Sequence, residues 1–181
     1  PQANAAPIKE TLAAALCDLA RLRPYHTLYD PMCGSGTILI EGAMMVHNIA
    51  PGVNRYFSAE RWDVIDEKVW TDERNRARDL VNYDTDFIAY GSDIDEEALE
   101  IAKINAKRAG VERKIKFEKA DIRNFEPKSE KGTVICNPPY GERLLDIEKA
   151  QKLYKIMGEK FIRKHGWAYY VISPSEEFEK E

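Results

Sequence analysis

The sequence contains no run of about 18 apolar residues, so it offers no candidate for a membrane-spanning helix. Cysteine is scarce, and the three residues, Cys17, Cys33 and Cys136, lie too far apart to form a CxxC pair. The three histidines are equally scattered, so no metal site is predicted. Because the N-terminus also lacks the features of a signal peptide, we predict a cytoplasmic protein with reduced thiols.

An excess of positive charge is also absent. The formal net charge is −4 at pH 7 and the sequence pI is about 5.6. No overall basic field therefore attracts this chain to nucleic acid or to an anionic membrane. A polyanionic substrate would have to be bound by a local patch or by another domain.

Two phosphate-binding motifs are missing. The dinucleotide pattern GxGxxG would require glycine at position 39, where the chain has Leu39, and no GxxxxGK[ST] stretch occurs. A nicotinamide oxidoreductase is therefore disfavoured, and a P-loop is excluded. Asp30 precedes the glycine turn, where its carboxylate would repel a pyrophosphate and attract a cationic amino acid. The expected ligand carries positive charge and little phosphate.

Strand patterns alternate with helical ones along most of the 181 residues. This alternation predicts an α/β fold, a Rossmann-like, doubly wound and mostly parallel sheet in the order 3-2-1-4-5. We expect a single domain over residues 1–181, from which later strands and flanking parts of the natural protein are missing. The predicted strands cover 26–30, 86–93, 114–121, 132–137 and 167–173, and the predicted helices cover 7–22, 37–48, 95–110 and 147–164.

A segment of 38 residues, 49–86, interrupts the alternation and is longer than an ordinary connection. One interpretation is a lid or a substrate-facing element. The other is an extra helix whose tryptophans, Trp62 and Trp70, pack on the edge of the sheet. The second is favoured, because aromatic residues at helical spacing more often belong to a core.

The strand ends carry the polar residues expected of a cofactor site. Ligands of doubly wound sheets bind beyond the carboxyl ends of the strands, where the strand order reverses. There Gly34 and Gly36 allow close backbone approach, Asp93 could accept hydrogen bonds from two ribose hydroxyls, and Asp121 could accept one from an adenine amine. S-adenosylmethionine, with its ammonium, sulfonium and ribose, meets these requirements.

The stretch "NPPY" follows the fourth strand and faces "DPMCGSG" across the expected crevice. The side-chain oxygen of Asn137 and the carbonyl of Pro138 could accept both N–H bonds of a nucleobase amine, and Pro139 adds rigidity. Tyr140 could stack on the base. A plain turn that ends the strand, with a tyrosine lid, is the alternative.

"DPMCGSGT" together with "NPPYGER" resembles the class I S-adenosylmethionine-dependent methyltransferases that modify exocyclic amines. More narrowly, "APIKETLAAAL", "DPMCGSGTILIEGA", "NIAPG", "GSDID" and "NPPYGERL" resemble the bacterial guanine-N2 methyltransferases of large-subunit ribosomal RNA, a family often labelled as adenine-N6 DNA methylases. The resemblance implies methyl transfer to guanine N2. It also implies that ribosomal RNA is bound through an N-terminal RNA-binding THUMP domain, which is missing here.

The resemblance also implies roles for individual residues. The methionine part of the cofactor would lie against Asp30, Pro31, Cys33, Gly34 and Thr37, with the Pro7-Ile8 turn. Gly36, Ile94 and Asn137 complete the predicted cofactor site, in which Asp93 holds the ribose and Asp121 and Ile122 hold the adenine. The target amine would meet Asn137, Pro138, Pro139 and Tyr140.

Two other functions stay open at this point. Adenine-N6 methylation of DNA or RNA would use the same turn, because the turn does not encode the identity of the base. A non-catalytic nucleic-acid-binding domain would keep the fold without the reaction.

Overall fold

The computed structural model describes residues 8–139, 144–173 and 178. Within them, five parallel strands form one sheet in the order β3-β2-β1-β4-β5, which confirms the predicted order. The strands are β1 Thr27–Asp30, β2 Ile88–Asp93, β3 Ile115–Lys119, β4 Gly132–Cys136 and β5 Trp167–Val171.

Helices connect the strands at most crossings. Asp95 begins α4 as predicted, because its side chain accepts hydrogen bonds from the backbone N–H groups of Glu97 and Ala98. Between β3 and β4, by contrast, the connection contains only a short 3₁₀ turn, Ile122–Asn124. The helices are α1 Glu10–Leu19, α2 Thr37–Val46, α3 Glu67–Asp79, α4 Glu96–Arg108 and α5 Leu144–Lys160.

Successive strand residues point to opposite faces and build two cores. Leu28 packs among α1, α2 and α4 on one face, whereas its neighbour Tyr29 packs on the α5 side with Val134 and Met157. All five residues of β4 are buried, as expected for a central parallel strand covered on both faces. This covered sheet fixes the positions of the strand ends that form the site.

The segment 49–86 folds largely on itself. It contains a 3₁₀ turn, Ser58–Arg61, and then α3. Trp70 stacks on Phe57 of the same segment at a ring distance of 6.1 Å, and Trp62 is 60% exposed. The expectation that Trp62 packs on the edge of the sheet is therefore wrong, because its ring lies outside both cores.

None of the helices in the described part of the chain combines the length and the apolar character that crossing a bilayer requires.

Candidate functional site

The turn after β1 is folded tightly against the end of β2. The backbone N–H of Cys33 donates to the carbonyl of Ser92 at 3.0 Å, and the N–H of Gly36 donates to the carbonyl of Cys33 at 2.8 Å. Gly34 and Gly36 have φ values of +50° and +80°, a region in which side chains are strained. The turn therefore leads directly into the N-terminus of α2 at the strand ends.

The two glycines differ in the space around them, which gives a matched test of this turn. A Cβ on Gly36 would lie 3.1 Å from the Cβ of Ala102 and 3.2 Å from the Phe117 ring, whereas one on Gly34 would meet nothing within 4 Å. Gly36→Ala is expected to lower the free energy of unfolding by about 2–5 kcal/mol, from backbone strain and overpacking, and Gly34→Ala by only about 1–2 kcal/mol. Urea unfolding of both variants measures the difference, and equal losses would contradict this account.

Asp93 ties the glycine turn to the end of β2. Its Oδ2 accepts a hydrogen bond from the backbone N–H of Gly34 at 2.8 Å, and its Oδ1 accepts one from the N–H of Asp95 at 3.0 Å. Each oxygen keeps a second lone pair that can accept another donor. The carboxylate thus has a structural role that the sequence did not predict, and it retains capacity for a ligand hydroxyl.

Asp30 is a buried carboxyl at the centre of the strand ends, with 2% of its surface exposed. Burial raises the pKa of Asp30 to about 8, and the nearby charge of Asp93 adds to this effect, while a hydrogen bond from the Met32 N–H opposes it. Asp30 is therefore largely protonated at neutral pH in the absence of a cation. A positively charged ligand is the partner that would favour its ionised form.

The cysteines near Asp30 are unreactive. Burial raises the pKa of the Cys33 and Cys136 thiols, and the charge of Asp30 contributes to both shifts. Because the thiolate is the nucleophilic form, these protonated thiols are small apolar side chains that fill space. The pairing of β1 with β4 places the ends of these two strands side by side.

Asp121 at the end of β3 is already paired. The guanidinium of Arg123 donates two hydrogen bonds to it, from Nε at 2.9 Å and from Nη2 at 2.7 Å. The side-chain hydrogen bonds from Arg123 lower the pKa of Asp121 to about 2, so it is ionised at neutral pH. The sequence analysis did not identify Arg123, although its position two residues after Asp121 permits this local pairing.

Asn137 carries an unusual acceptor directly after β4. Its Oδ1 is buried and has no hydrogen-bond partner among the described residues. Pro138, the next residue, is fully buried, and Pro139 is exposed. Buried polar atoms are nearly always paired, so an unpaired acceptor at the strand ends is a reason to expect a donor from a ligand.

A cavity of about 210 Å³ adjoins the end of β1. Asp30, Pro31 and Tyr90 are among its lining residues, whereas Asp93 and Asn137 are not. A second cavity of about 280 Å³ lies between the C-terminal parts of α2 and α3. Of these two cavities, the first is the one lined by predicted site residues.

The other predicted site residues either belong to the elements around the carboxyl ends of the strands or fall outside the described residues. Thr37 begins α2, Ile122 is buried, and Ile94 is 68% exposed beside Asp93. Ile8 is half-buried and packs against the core of the sheet. Pro7 and Tyr140 lie outside the described residues. In the part of the chain that the structure describes, no three His, Cys, Asp or Glu side chains are grouped to hold a metal ion.

Comparisons with known proteins match the whole chain. The family model described as "RMKL-like, methyltransferase domain" matches residues 1–181. The Bacillus subtilis protein named "Putative RNA methyltransferase YpsC" is 42% identical over 175 residues, 97% of this chain. The "Ribosomal RNA large subunit methyltransferase K/L" of a Shewanella species is 42% identical over 166 residues, 89% of this chain.

A solved structure agrees with these relatives. It is that of a "putative methyltransferase complexed with SAH", with a TM-score of 0.89 and 41% identity over 98% of this chain and 47% of that one. The chain spans 46% of the Bacillus protein and 23% of the Shewanella protein. The similarity therefore concerns one part of longer proteins.

Proposed function

The chain belongs to the family of RMKL-like methyltransferase domains, and we propose that it transfers a methyl group from S-adenosylmethionine to the exocyclic N2 amine of a guanine in large-subunit ribosomal RNA. The observation that carries the amine chemistry is the buried Oδ1 of Asn137, which has no hydrogen-bond partner within residues 8–139, 144–173 and 178. The name of the Shewanella relatives supports ribosomal RNA as the substrate. The resemblance of the quoted motifs supports guanine N2.

The cofactor of this domain is S-adenosylmethionine, which supplies an electrophilic methyl group on a sulfonium when bound. The donor and acceptor set at the strand ends fits it. We assign Asp30 and the turn around Gly34 and Gly36 to the methionine part, because a buried carboxyl that needs a cation matches an ammonium and a sulfonium. The N-terminus of α2 at Thr37 favours the methionine carboxylate.

We assign the ribose to Asp93 and the adenine to Ile94, Asp121 and Ile122. The free lone pairs of Asp93 support the first assignment, and the exposed face of Ile94 next to it offers a surface for an adenine ring. Asp121 is ionised and held by Arg123, so it can accept one further hydrogen bond from an amine. The resemblance assigns Pro7, which is not among the described residues, to the methionine part of the cofactor.

The catalytic contribution of the chain is positioning of the amine. The nitrogen of a nucleobase amine is a poor nucleophile, because its lone pair is delocalised into the ring. Oδ1 of Asn137 accepts one N–H bond and the carbonyl of Pro138 accepts the other, which favours a lone pair directed out of the ring plane. Pro138 and Pro139 hold that carbonyl rigidly. We assign stacking on the base to Tyr140, which is not among the described residues. The N–C bond would form as the bond between the methyl group and the sulfonium breaks and leaves a thioether, and the methylated amine would release one proton to solvent.

We infer that an RNA-binding domain outside these 181 residues recruits the ribosomal RNA. The net charge of −4 supports this inference, because the chain has no overall basic field for a polyanion. The greater length of the curated relatives leaves room for such a domain.

Methyl transfer in vitro tests the proposal. The protein is incubated with isotopically labelled S-adenosylmethionine and either unmodified large-subunit ribosomal RNA or genomic DNA, and the nucleosides are analysed by mass spectrometry. Label in N2-methylguanosine from the RNA is the expected result. Label in N6-methyladenosine or its deoxy form would show that the target base is adenine and not guanine, because Asn137 could bind either amine. Tight cofactor binding without any label in either substrate would favour a non-catalytic binding domain.

A further inference from the structure

Residues 55–62, here called the aromatic–arginine segment, present large rings to solvent. Tyr56 is 63% exposed, Trp62 is 60% exposed and Phe57 is 38% exposed. Three exposed aromatic side chains within eight residues are unusual for a surface that remains in water, because each exposes much apolar area. Neither the methyl-transfer site nor the two cores of the sheet uses these residues.

The aromatic–arginine segment is held in a fixed shape from within. Arg74 of α3 donates from Nη2 to the carbonyl of Arg55 at 2.7 Å and from Nη1 to Oε2 of Glu60 at 3.1 Å. The backbone N–H of Phe57 donates to Oε1 of Glu60 at 2.7 Å, and the Phe57 ring stacks on Trp70. The backbone that carries the exposed rings is therefore pre-organised, which reduces the entropy cost of binding a partner.

The charges of this segment favour an anion with flat, stackable groups. The guanidinium of Arg55 lies 5.7 Å from the centre of the Phe57 ring, and that of Arg61 lies 5.8 Å from the centre of the Tyr56 ring. Glu60 is neutralised by Arg74, so the segment itself presents two arginines beside its rings, although Asp63 follows directly. Arginine beside exposed tyrosine and tryptophan is the combination that binds the phosphates and bases of single-stranded nucleic acid.

We propose that the aromatic–arginine segment is a second RNA contact, which stacks bases of a single-stranded region on Tyr56 and Trp62 and pairs Arg55 and Arg61 with neighbouring phosphates. This inference rests on the proposed RNA substrate and adds a contact made by residues that are not part of the assigned methyl-transfer site.

Binding of a fluorescein-labelled single-stranded RNA of about 12 nucleotides, a length within the span of known single-strand sites, tests the proposal. The double variant Tyr56→Ala/Trp62→Ala is expected to raise the Kd for this RNA about 30-fold or more, because two stacking contacts are lost. The matched control is Arg23→Ala/Tyr25→Ala, which removes an exposed arginine and a 72% exposed tyrosine from the loop before β1. It should bind the RNA as the unchanged protein does.

A second variant, Arg55→Ala/Arg61→Ala, isolates the charges and leaves the rings in place. Each phosphate contact on a single strand contributes about 0.7 to the slope of log association constant against log salt concentration. The loss of two contacts should therefore reduce the magnitude of this slope by about 1.4. Affinity for S-adenosylmethionine should stay unchanged in all three variants, which shows that each is folded.

Three results would overturn the proposal. The first is RNA affinity within twofold of the unchanged protein in Tyr56→Ala/Trp62→Ala, and the second is an equal loss in the control variant. The third is a Trp62 fluorescence that acrylamide does not quench in the absence of RNA. The contribution of Trp62 is obtained by difference from the Trp62→Phe variant, and its protection would mean that another protein surface covers the segment. Methyl transfer that persists in any of these cases leaves the proposed function standing, whereas absence of both RNA binding and methyl transfer removes both.

Discussion

Asn137→Ala is expected to reduce methyl transfer at saturating cofactor by about 100-fold or more, while the Kd for S-adenosylmethionine stays within a few-fold. The variant removes the buried Oδ1 that has no partner in the described residues, and with it one of two acceptors for the target amine. Single-turnover rates with ribosomal RNA and cofactor titration by calorimetry separate the two effects. Asn137→Asp keeps an acceptor oxygen and should retain more activity than the alanine variant.

The control for this prediction is Asn75→Ala. This exposed asparagine on α3 accepts a hydrogen bond from Nη1 of Arg78 in the same helix, at 3.4 Å. The substitution should leave both rate and affinity unchanged. A large loss of cofactor affinity in Asn137→Ala, with little change in rate once the cofactor saturates, would show that Asn137 holds the cofactor and not the amine.

Asp30→Asn is expected to weaken S-adenosylmethionine binding by about 10- to 150-fold, the range that corresponds to about 1.5–3 kcal/mol for a hydrogen bond to a charged group. Because the pKa of Asp30 is about 8 without cofactor, the ionised carboxylate must form when the cation binds. Binding should therefore release close to one proton at pH 7, and affinity should rise about tenfold per pH unit between about pH 6 and pH 7.5. Calorimetry in buffers of different ionisation enthalpy counts that proton.

The asparagine variant should also change how the stability of the cofactor-free protein depends on pH. The folded-state pKa of Asp30 is raised from 3.8 to about 8, so the folded protein keeps a proton that the unfolded chain has lost between these values. Stability contributed by Asp30 therefore falls as pH rises through this window, and Asp30→Asn should remove that part of the decline. Proton release and pH dependence that persist in Asp30→Asn would assign them to another group.

The sequence predicted the fold because strand and helix patterns alternate along most of the chain. Parallel strands need crossover connections, and the right-handedness of those crossings leaves few arrangements, of which 3-2-1-4-5 is the usual order of a doubly wound sheet. The helix boundaries were less accurate. The pattern predicted a helix over 7–22, whereas α1 ends at Leu19, and Arg21 then takes a positive φ of 51° before Pro24.

The sequence indicated which polar residues follow the strands, but it did not predict their contacts. Asp93 bonds to Gly34, which is 59 positions away in the chain, so only the folded sheet brings the two groups together. The pairing of Asp121 with Arg123 is local, but many acidic strand ends have a basic neighbour without such a pair. Oδ1 of Asn137 has no donor within the described part of the chain. This too depends on the surrounding fold, because the residue type alone does not show which donors lie nearby.

The segment 49–86 shows the limit of pattern reasoning most clearly. Periodicity favoured tryptophans packed on the sheet, yet Trp62 is exposed and Trp70 packs within the segment. The ion pair between Arg74 and Glu60 gives the segment internal support, and it joins residues 14 positions apart. Aromatic spacing alone cannot distinguish packing against a sheet from packing within an insertion.

Nucleoside mass spectrometry of ribosomal RNA and genomic DNA, from cells with the intact gene and cells without it, tests the central claim most directly. Cells that carry only the Asn137→Ala form are the third sample. The account predicts that one N2-methylguanosine disappears from large-subunit RNA in the second and third samples and that DNA is unchanged. Loss of N6-methyladenine, or no change in any nucleoside, would contradict it.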